Sequence, residues 1–496
     1  MVFAGFAEKH FLVQLVIKSH FSMITRKIEY WESIKKGMNM PKKKIVCLGG
    51  GSGYFTRALG DIIATQGLAG SEITLYDIDM EKAELMAQHG NKLASQNSSG
   101  IKVRACKTLD DAIDGADFAV SSIGGAGVSS GGVYGTSAHI QDVLIPAKYG
   151  IYQVVGDTAS PAGMMMGLRS LPIYINICRE MEKRCPDVIF MNHSNPMAVL
   201  CRAMDKYTKL KQIIGVCHGV QIGIIGIANM LGVSPYELDC SWIGTNHYHW
   251  FTKIYHKGED IYPKVKKMFA ERENPKGELM THKLSQIYNH IIVYPPDDHA
   301  FEFYPYTSRL SSVDEVPYGF AHELKEKYAQ YEKMALVKPT ESEIKAQREA
   351  YLRDFAGWLK DINLPKEPSD PLIGEGLGSL IEAISVGRRQ VQIVNIENKG
   401  VVPNLPSYAN LEIEGVTDSC GVRGIYVGDA PMSLKGLLEK RIAWQELVVD
   451  AGVNGDVNLA LQALLLDDAA ILPEKAEQML SELLHASKDY LPQFSL

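Results

Sequence analysis

The sequence lacks the features of disulfide-stabilised, membrane-spanning and nucleic-acid-binding proteins. Its 8 cysteines are scattered through 496 residues without a close C-x-x-C pair, which is unlike a disulfide framework and fits a reducing cytoplasm. No basic stripe with interleaved aromatic residues occurs, and the net charge is -7, so we expect no nucleic-acid partner. No apolar run is long enough to cross a bilayer, so we expect no membrane association. The expected partner is therefore a small molecule.

The N-terminal segment has little that resembles a targeting signal. Phe11 to Ile17 is apolar, but Glu8 precedes it, no basic segment opens it and no small-residue cleavage site follows. Met38 and Met40 stand just before the Lys-rich lead into the first predicted strand. We interpret residues 1–40 as an extension outside the folded core.

A glycine cluster follows the first predicted strand, where the chain reads K-K-K-I-V-C-L-G-G-G-S-G-Y from Lys42 to Tyr54. Glycines at such a turn let the backbone bend sharply and approach a phosphate, while the first N–H groups of the next helix supply partial positive charge. The turn therefore predicts a dinucleotide site. Its candidate cofactor-binding residues are Gly49, Gly51, Ser52, Gly53 and Tyr54.

The second predicted strand, Ile73 to Tyr76, ends in an acidic triplet. Asp77 stands where a carboxylate accepts both ribose hydroxyls of NAD and repels the 2'-phosphate of NADP. Asp79, in the same triplet, is a further cofactor candidate or the N-cap of the following helix. Gly124, after a later strand, offers close backbone approach to the cofactor, although a glycine-rich surface loop fits equally well.

Strands alternate with helical segments through the first half of the chain, which predicts a mostly parallel sheet with ligands at the carboxyl ends of its strands. At 496 residues the chain exceeds one ordinary core. We expect a dinucleotide-binding domain at 41–220 and a C-terminal domain at 221–496 that shares the active site.

Two later segments place metal-ligand residue types after strand-like runs. One is the C-H-G-V-Q segment that begins at Cys217 and His218, and the other is the G-T-N-H-Y-H-W segment that contains His247. Taken singly, a buried cysteine is commonly a small apolar residue and a histidine a hydrogen-bonding one. Two more polar segments raise their significance, N-H-S-N-P ending at Pro196 and Y-P-P-D-D-H-A-F-E-F starting at Tyr294.

Taken together, these segments resemble glycoside hydrolase family 4, whose members depend on NAD and a divalent metal. The resemblance extends over nearly all of residues 43–470. Its further motifs are D-x-x-I-P-x-K-Y-G at Asp142, G-D-T at Gly156, L-R-S-L-P at Leu168 and N-x-G-x-V-x-N-L-P at Asn398. This chain departs from the family where an Arg usually precedes the Asp142 motif, since Ser137 and His139 stand there instead.

The resemblance implies a fold and a reaction. The fold is a Rossmann-type doubly wound α/β sheet with a second α/β domain, similar to lactate and malate dehydrogenases. The reaction is hydrolysis through transient oxidation by NAD at carbon 3, proton removal at carbon 2, elimination of the aglycone and addition of water. A metal held by Cys217 and His247, usually Mn²⁺, would stabilise the enolate as a Lewis acid.

The resemblance also implies roles for individual side chains. Asp297 is the predicted base, with Asp298 as the second candidate. His218 is expected to contact the substrate or assist the leaving group, unless it only supports the metal site. Asn195 and Asp157 are expected to bind sugar hydroxyls.

His218 also bears on the substrate, because family members that act on 6-phosphosugars tend to carry Asn or Asp at this position. We therefore expect an unphosphorylated α-galactoside, α-glucoside or α-hexuronide, hydrolysed by a homodimer or homotetramer. Two alternatives remain, a net NAD-dependent oxidoreductase of the lactate or malate dehydrogenase type, and a binding protein that has lost catalysis.

Overall fold

The computed structural model describes residues 42–495 except 128–132, 274, 305–309, 338, 363, 365–366 and 468–470. The predicted extension at 1–40 lies outside the described residues.

Within these described ranges, the main sheet has nine strands in the order β3-β2-β1-β4-β5-β6-β10-β11-β12. The first six are parallel, whereas β10, β11 and β12 run antiparallel to their neighbours. A separate antiparallel sheet contains β7, β8 and β9. The strands are β1 Lys44–Leu48, β2 Glu72–Tyr76, β3 Lys102–Ala105, β4 Phe118–Ser121, β5 Ile189–Asn192, β6 Gln212–Gly215, β7 Leu238–Thr245, β8 Tyr248–His256, β9 Glu259–Asp260, β10 Val391–Glu397, β11 Asn410–Asp418 and β12 Gly421–Gly424.

Helices connect the strands and cover the main sheet. They are α1 Tyr54–Ala64, α2 Met80–Gln96, α3 Leu109–Ile113, α4 Ser137–Ala147, α5 Ser160–Arg184, α6 Met197–Tyr207, α7 Gly219–Leu231, α8 Tyr262–Ala270, α9 Leu279–Tyr288, α10 Asp297–Phe303, α11 Phe320–Leu336, α12 Glu341–Asp361, α13 Leu377–Ser385, α14 Met432–Asn454, α15 Val457–Leu466 and α16 Pro473–Ala486. None of them, across the part of the chain described, combines the length and hydropathy needed to cross a membrane.

The central strand β1 shows how the apolar sequence builds the core. Ile45 and Cys47 belong to one buried apolar cluster, while Val46 and Leu48 belong to another. Successive side chains of a strand point to opposite faces, so the two clusters are the layers on either side of the sheet. A parallel strand covered on both faces reads as a continuous apolar run, as this one does.

The structure confirms the predicted Rossmann-type fold and refines its later part. The strand order from β3 to β6 is that of a dinucleotide-binding fold. Residues 241–254 lie in the hairpin of β7 and β8, and residues 323–361 lie in the helix pair α11 and α12. Residue 220 does not end the main sheet, because β10 to β12 extend it through a contact between Asn395 and Gly215.

Candidate functional site

The glycine turn after β1 opens a large cavity. Gly49 has a φ of +74°, and a Cβ at this position would lie 2.2 Å from the carbonyl oxygen of Ser122, so only glycine fits. The cavity encloses about 1030 Å³ and is bordered by the loops after β1, β2 and β4. This is the position at which dinucleotides bind in doubly wound sheets, at the carboxyl ends of the strands.

Most of the predicted cofactor residues border this cavity. The lining includes Gly49, Ser52, Gly53, Asp77, Asp79 and Gly124. Gly51 is not among the lining residues, and its N–H donates to Asp77 over 2.8 Å. Asp79 also caps α2 by accepting the N–H of Lys82 over 3.3 Å, so both of its predicted roles have a structural counterpart.

Tyr54 is the predicted cofactor residue that faces elsewhere. Its hydroxyl donates to Glu375 over 2.9 Å, and its ring stacks on His193 with centroids 3.7 Å apart. The same carboxylate lies 3.3 Å from Nδ1 of His218 and 3.3 Å from Nδ1 of His193. Glu375, which no motif identified, therefore connects the glycine turn to the segment of the predicted metal ligand.

The two predicted metal ligands lie close together. Sγ of Cys217 is 3.5 Å from Nε2 of His247, and both side chains are buried. Ligand atoms 2.0–2.3 Å from one ion lie roughly 3–3.5 Å apart, so the pair fits a shared cation. The other ring nitrogen of His247 is 3.0 Å from the hydroxyl of Thr158, which leaves Nε2 for a metal, as is usual for ligating histidines.

The surroundings of His247 favour its neutral imidazole, the form that binds a metal ion. Burial, followed by the nearby charge of His299, lowers the pKa of His247 to about 3, so the imidazole is neutral at physiological pH. Burial raises the pKa of the Cys217 thiol well above its usual range, so its ionisation requires a bound cation. His247 also has a left-handed φ of +61°, a strained conformation for a non-glycine residue of the kind found at functional sites.

Asp157 lies beside the predicted metal ligand His247 and contacts two further residues, Asn195 and Tyr134. One ligand atom each of Asp157, His247 and His299 lies within 4.8 Å of the others, which makes these residues a possible metal-binding group. Asp157 accepts hydrogen bonds from Asn195 over 2.9 Å and from the hydroxyl of Tyr134 over 2.7 Å. The predicted substrate residues Asn195 and Asp157 therefore meet beside the predicted metal ligands.

Glu302 fixes the backbone of this corner. One of its oxygens accepts the N–H groups of Asp157, Thr158 and Ala159 over 2.9–3.0 Å. Its other oxygen lies 3.7 Å from His299, which is longer than a hydrogen bond. Although burial opposes the charged form, the carboxylates of Glu302 and Asp157 outweigh it and raise the pKa of His299 to about 9.

The two candidate bases occupy different environments. Asp297 is buried, and its oxygens accept the backbone N–H groups of Met280 and Thr281 over 2.9 and 2.8 Å, so it caps α9. Asp298 is only partly buried, and it accepts the N–H of His299 over 2.8 Å. Burial raises the pKa of Tyr294, and the charge of Asp298 raises it further; the same charge adds to the effect of Glu302 and Asp157 on the pKa of His299.

Tyr294 and His299 flank the predicted metal ligand. The Tyr294 ring lies 5.4 Å from that of His247 at an interplanar angle of 20°, and the His299 ring lies 4.4 Å away at 54°. Of the two candidate bases, Asp297 thus binds the backbone at the start of α9, and Asp298 is the less buried one. Sequence reasoning had included His299 and Glu302 in a motif without assigning them a function.

Comparison with known protein families shows which family the chain matches. The family described as "Family 4 glycosyl hydrolase" matches residues 44–233. Its C-terminal domain, described as "Family 4 glycosyl hydrolase C-terminal domain", matches residues 242–470. An alpha-galactosidase of Bacillus subtilis is 28% identical over 460 residues, which cover 91% of this chain and 100% of that protein. An alpha-galacturonidase of Lachnoclostridium phytofermentans is 28% identical over 480 residues, which cover 90% of this chain and 97% of that protein.

Solved structures share the fold. The crystal structure of a 6-phospho-alpha-glucosidase from gut microorganisms, in complex with NAD and Mn²⁺, matches with a TM-score of 0.71 and 22% identity. The match covers 92% of this chain and 100% of that chain.

Proposed function

The chain belongs to family 4 of the glycosyl hydrolases and is a glycosidase, and we propose that it hydrolyses unphosphorylated α-glycosides with the help of NAD and a divalent metal ion. The candidate sugars are α-galactosides, α-glucosides and α-hexuronides. Bound NAD and a bound divalent ion would supply hydride transfer at carbon 3 and polarisation of the resulting carbonyl. The relative solved with NAD and Mn²⁺ supports this choice of cofactors.

The observation that carries the proposal is a chain of contacts from the cavity to the metal cluster. Ile123, which borders the cavity, donates its N–H to Ser194 over 2.8 Å. The next residue, Asn195, donates to Asp157 over 2.9 Å, and Asp157 belongs to the group with His247. A dinucleotide in the cavity and a sugar at the cluster would therefore be neighbours, as hydride transfer requires.

The protein's own residues divide the remaining work. Cys217 and His247 would hold the metal, with His299 and Asp157 beside it to orient the hydroxyls of the sugar. Asp298 would remove the proton from carbon 2, since Asp297 is committed to α9. Asn195 has a buried side-chain oxygen without a hydrogen-bond partner among the described residues, which suits it to accept a sugar hydroxyl.

The segment around His218 supports an unphosphorylated substrate. The side chain of His218 is 54% exposed beside Cys217, and Glu375 lies against it with a carboxylate that would repel a phosphate. Relatives named alpha-galactosidase and alpha-galacturonidase are consistent with this choice. We further propose a cytoplasmic location, because the cysteines of the described residues are free, as in a reducing compartment. From the family resemblance we propose a homodimer or homotetramer.

The proposal is tested by a glycoside screen in deuterated water. Purified protein with Mn²⁺, reductant and trace NAD is offered nitrophenyl α- and β-glycosides and hexuronides. We expect cleavage of one unphosphorylated α-glycoside, deuterium at carbon 2 of the product and no net NADH. Cleavage of 6-phosphoglycosides alone would contradict the substrate class, and stoichiometric NADH without cleavage would support a net oxidoreductase instead.

A further inference from the structure

One wall of the dinucleotide cavity comes from the second half of the chain. Tyr351, Phe355 and Trp358 border the cavity, and all three belong to α12. Their spacing of four and three residues places them on one face of the helix. The charged composition of this stretch is typical of a solvated surface helix and does not indicate a ligand.

Polar contacts hold α12 against α2, next to the acidic triplet after β2. Arg348 is paired with Asp79 and lies 3.2 Å from Glu81. Further along the helix, the carbonyl oxygen of Leu359 is 3.1 Å from Nδ1 of His89, which is buried. The aromatic face of α12 is thus fixed in place beside Asp77 and Asp79.

The aromatic side chains form a continuous row. The rings of Tyr351 and Phe355 have centroids 6.1 Å apart, and those of Phe355 and Trp358 are 5.8 Å apart. Lys82 joins this row to α2, because its Nζ lies 5.4 Å from the Tyr351 centroid and 5.3 Å from that of Phe355. Phe355 is buried, whereas Trp358 remains 44% exposed although it borders the cavity.

An apolar residue of the acidic triplet borders the same cavity. Ile78 lies between Asp77 and Asp79 and is 72% exposed. Exposed Ile and Trp side chains at one concave site are unfavourable in water and favourable against a flat aromatic ligand. The cavity suits a small molecule, since ligand sites of this kind are concave and mostly apolar.

We propose that the aromatic face of α12, with Trp358 at its edge, binds the adenine ring of the dinucleotide. This inference rests on the proposed use of NAD and identifies residues outside the glycine fold that recognise it. Asp77 would hold the adenosine ribose, so the adenine lies beyond it, where Ile78, Lys82 and the row on α12 are found. Stacking on an aromatic side chain strengthens binding of a base.

The test separates the two halves of the cofactor by calorimetry. Wild type, Trp358→Ala and Trp358→Phe are titrated with NAD, ADP-ribose and nicotinamide mononucleotide. We expect Trp358→Ala to raise the Kd for NAD and ADP-ribose by roughly 10- to 100-fold, because stacking is lost. The Kd for nicotinamide mononucleotide should not change, and Trp358→Phe should retain most of the affinity.

Ile344→Ala provides the matched control, because Ile344 lies on the same helix, is 53% exposed and does not border the cavity. This variant should bind ADP-ribose like the wild type. Thermal unfolding of each variant checks that the fold is kept. Quenching of tryptophan fluorescence by ADP-ribose should occur in the wild type and decrease in Trp358→Phe.

Several outcomes would overturn the inference. If Trp358→Ala binds ADP-ribose as tightly as Ile344→Ala does, α12 does not bind the adenine. If the same variant instead loses self-association in sedimentation, the aromatic face is a contact between copies of the chain. A wild type that binds ADP-ribose through Trp358 but cleaves no glycoside would refute the proposed function alone, and one that binds none of the nucleotides would contradict both.

Discussion

The dinucleotide cavity and the metal cluster lie next to each other, but they are built in different ways. The glycine turn that borders the cavity is shaped by backbone, with Gly49 fitted against the carbonyl oxygen of Ser122. The cluster is shaped by buried side chains from distant segments, among them Asp157, Cys217 and His247. A site built from backbone tolerates most side-chain changes, whereas a site built from buried polar groups depends on each of them. Variants in the two regions should therefore differ in kind.

The largest effect is expected from Cys217→Ser. The hydroxyl is a poorer ligand for a transition-metal ion than the thiolate, so Mn²⁺ binding should weaken and glycoside cleavage should fall by roughly 10³-fold or more, since loss of an outer partner alone costs about 10- to 100-fold. Metal binding is measured by electron paramagnetic resonance and cleavage by a nitrophenyl assay. Cys240→Ser, another buried cysteine, is the control and should bind Mn²⁺ normally. Unchanged metal binding in Cys217→Ser would remove this residue from the cluster.

The two neighbouring aspartates provide the next test. Asp298→Asn should lower kcat by roughly 10²-fold or more through loss of the base, while thermal stability and Mn²⁺ binding are kept. Asp297→Asn should instead lower the melting temperature, because Asp297 accepts the N–H groups of Met280 and Thr281 at the start of α9. The measurement is kcat beside Tm for each variant. The reverse result, with kcat lost only in Asp297→Asn, would restore the motif-based choice of base.

A smaller effect is expected at the glycine turn. Gly49→Ala places a Cβ 2.2 Å from the oxygen of Ser122 at a φ of +74°, so it should lower the free energy of unfolding by about 1–3 kcal/mol. Gly53→Ala is the matched control, because Gly53 has a φ of -56° and no atom within 4 Å of an added Cβ. Its free energy of unfolding should stay equal or rise by about 0.4–1 kcal/mol. Urea denaturation without ligand measures both, and equal losses would mean that the turn is not constrained as described.

Local sequence patterns were sufficient for the part of the molecule that local structure determines. The apolar run of β1, the glycines after it and Asp77 lie within one strand-helix-strand unit, so their pattern fixes their geometry. The family motifs identified Cys217 and His247 as the predicted metal ligands, and Sγ of Cys217 lies 3.5 Å from Nε2 of His247. In the first case one short segment contains the information needed, whereas in the second it came from the family resemblance, because Cys217 and His247 are 30 residues apart in the chain.

The remaining features depend on contacts between distant segments. Glu375 lies in no motif, and its role arises from its contacts with Tyr54 and His218. Asp297 and Asp298 are adjacent in a P-P-D-D turn, and only the docking of α9 determines which of them is a cap. The α12 helix reads as charged and solvated because its aromatic residues make up only one face. Tertiary packing, which periodicity does not reveal, decided each of these cases.

A further effect concerns pH and the surroundings of the metal cluster. His139 is fully buried, and its ring lies 5.2 Å from that of Tyr134, whose hydroxyl donates to Asp157. Burial, with the charges of Lys327 and Arg169, lowers the pKa of His139 from 6.5 to about 3. Between these two values the unfolded chain binds a proton that the folded protein does not bind. Stability from this residue is thus present above pH 6.5 and decreases as the pH falls towards 3, by about 1.4 kcal/mol per pH unit.

His139→Leu removes the imidazole that binds this proton in the unfolded chain. Neither ring nitrogen of His139 has a hydrogen-bond partner in the described part of the chain, so the variant loses no such bond. Urea denaturation at pH 7, 6 and 5 should therefore show a shallower loss of stability in His139→Leu than in the wild type. His322→Leu, which removes an exposed imidazole from α11, controls for the loss of a histidine as such. Parallel curves for wild type and His139→Leu would show that His139 does not cause the loss of stability at low pH. The region around the metal cluster would then be less sensitive to pH than its buried histidine indicates.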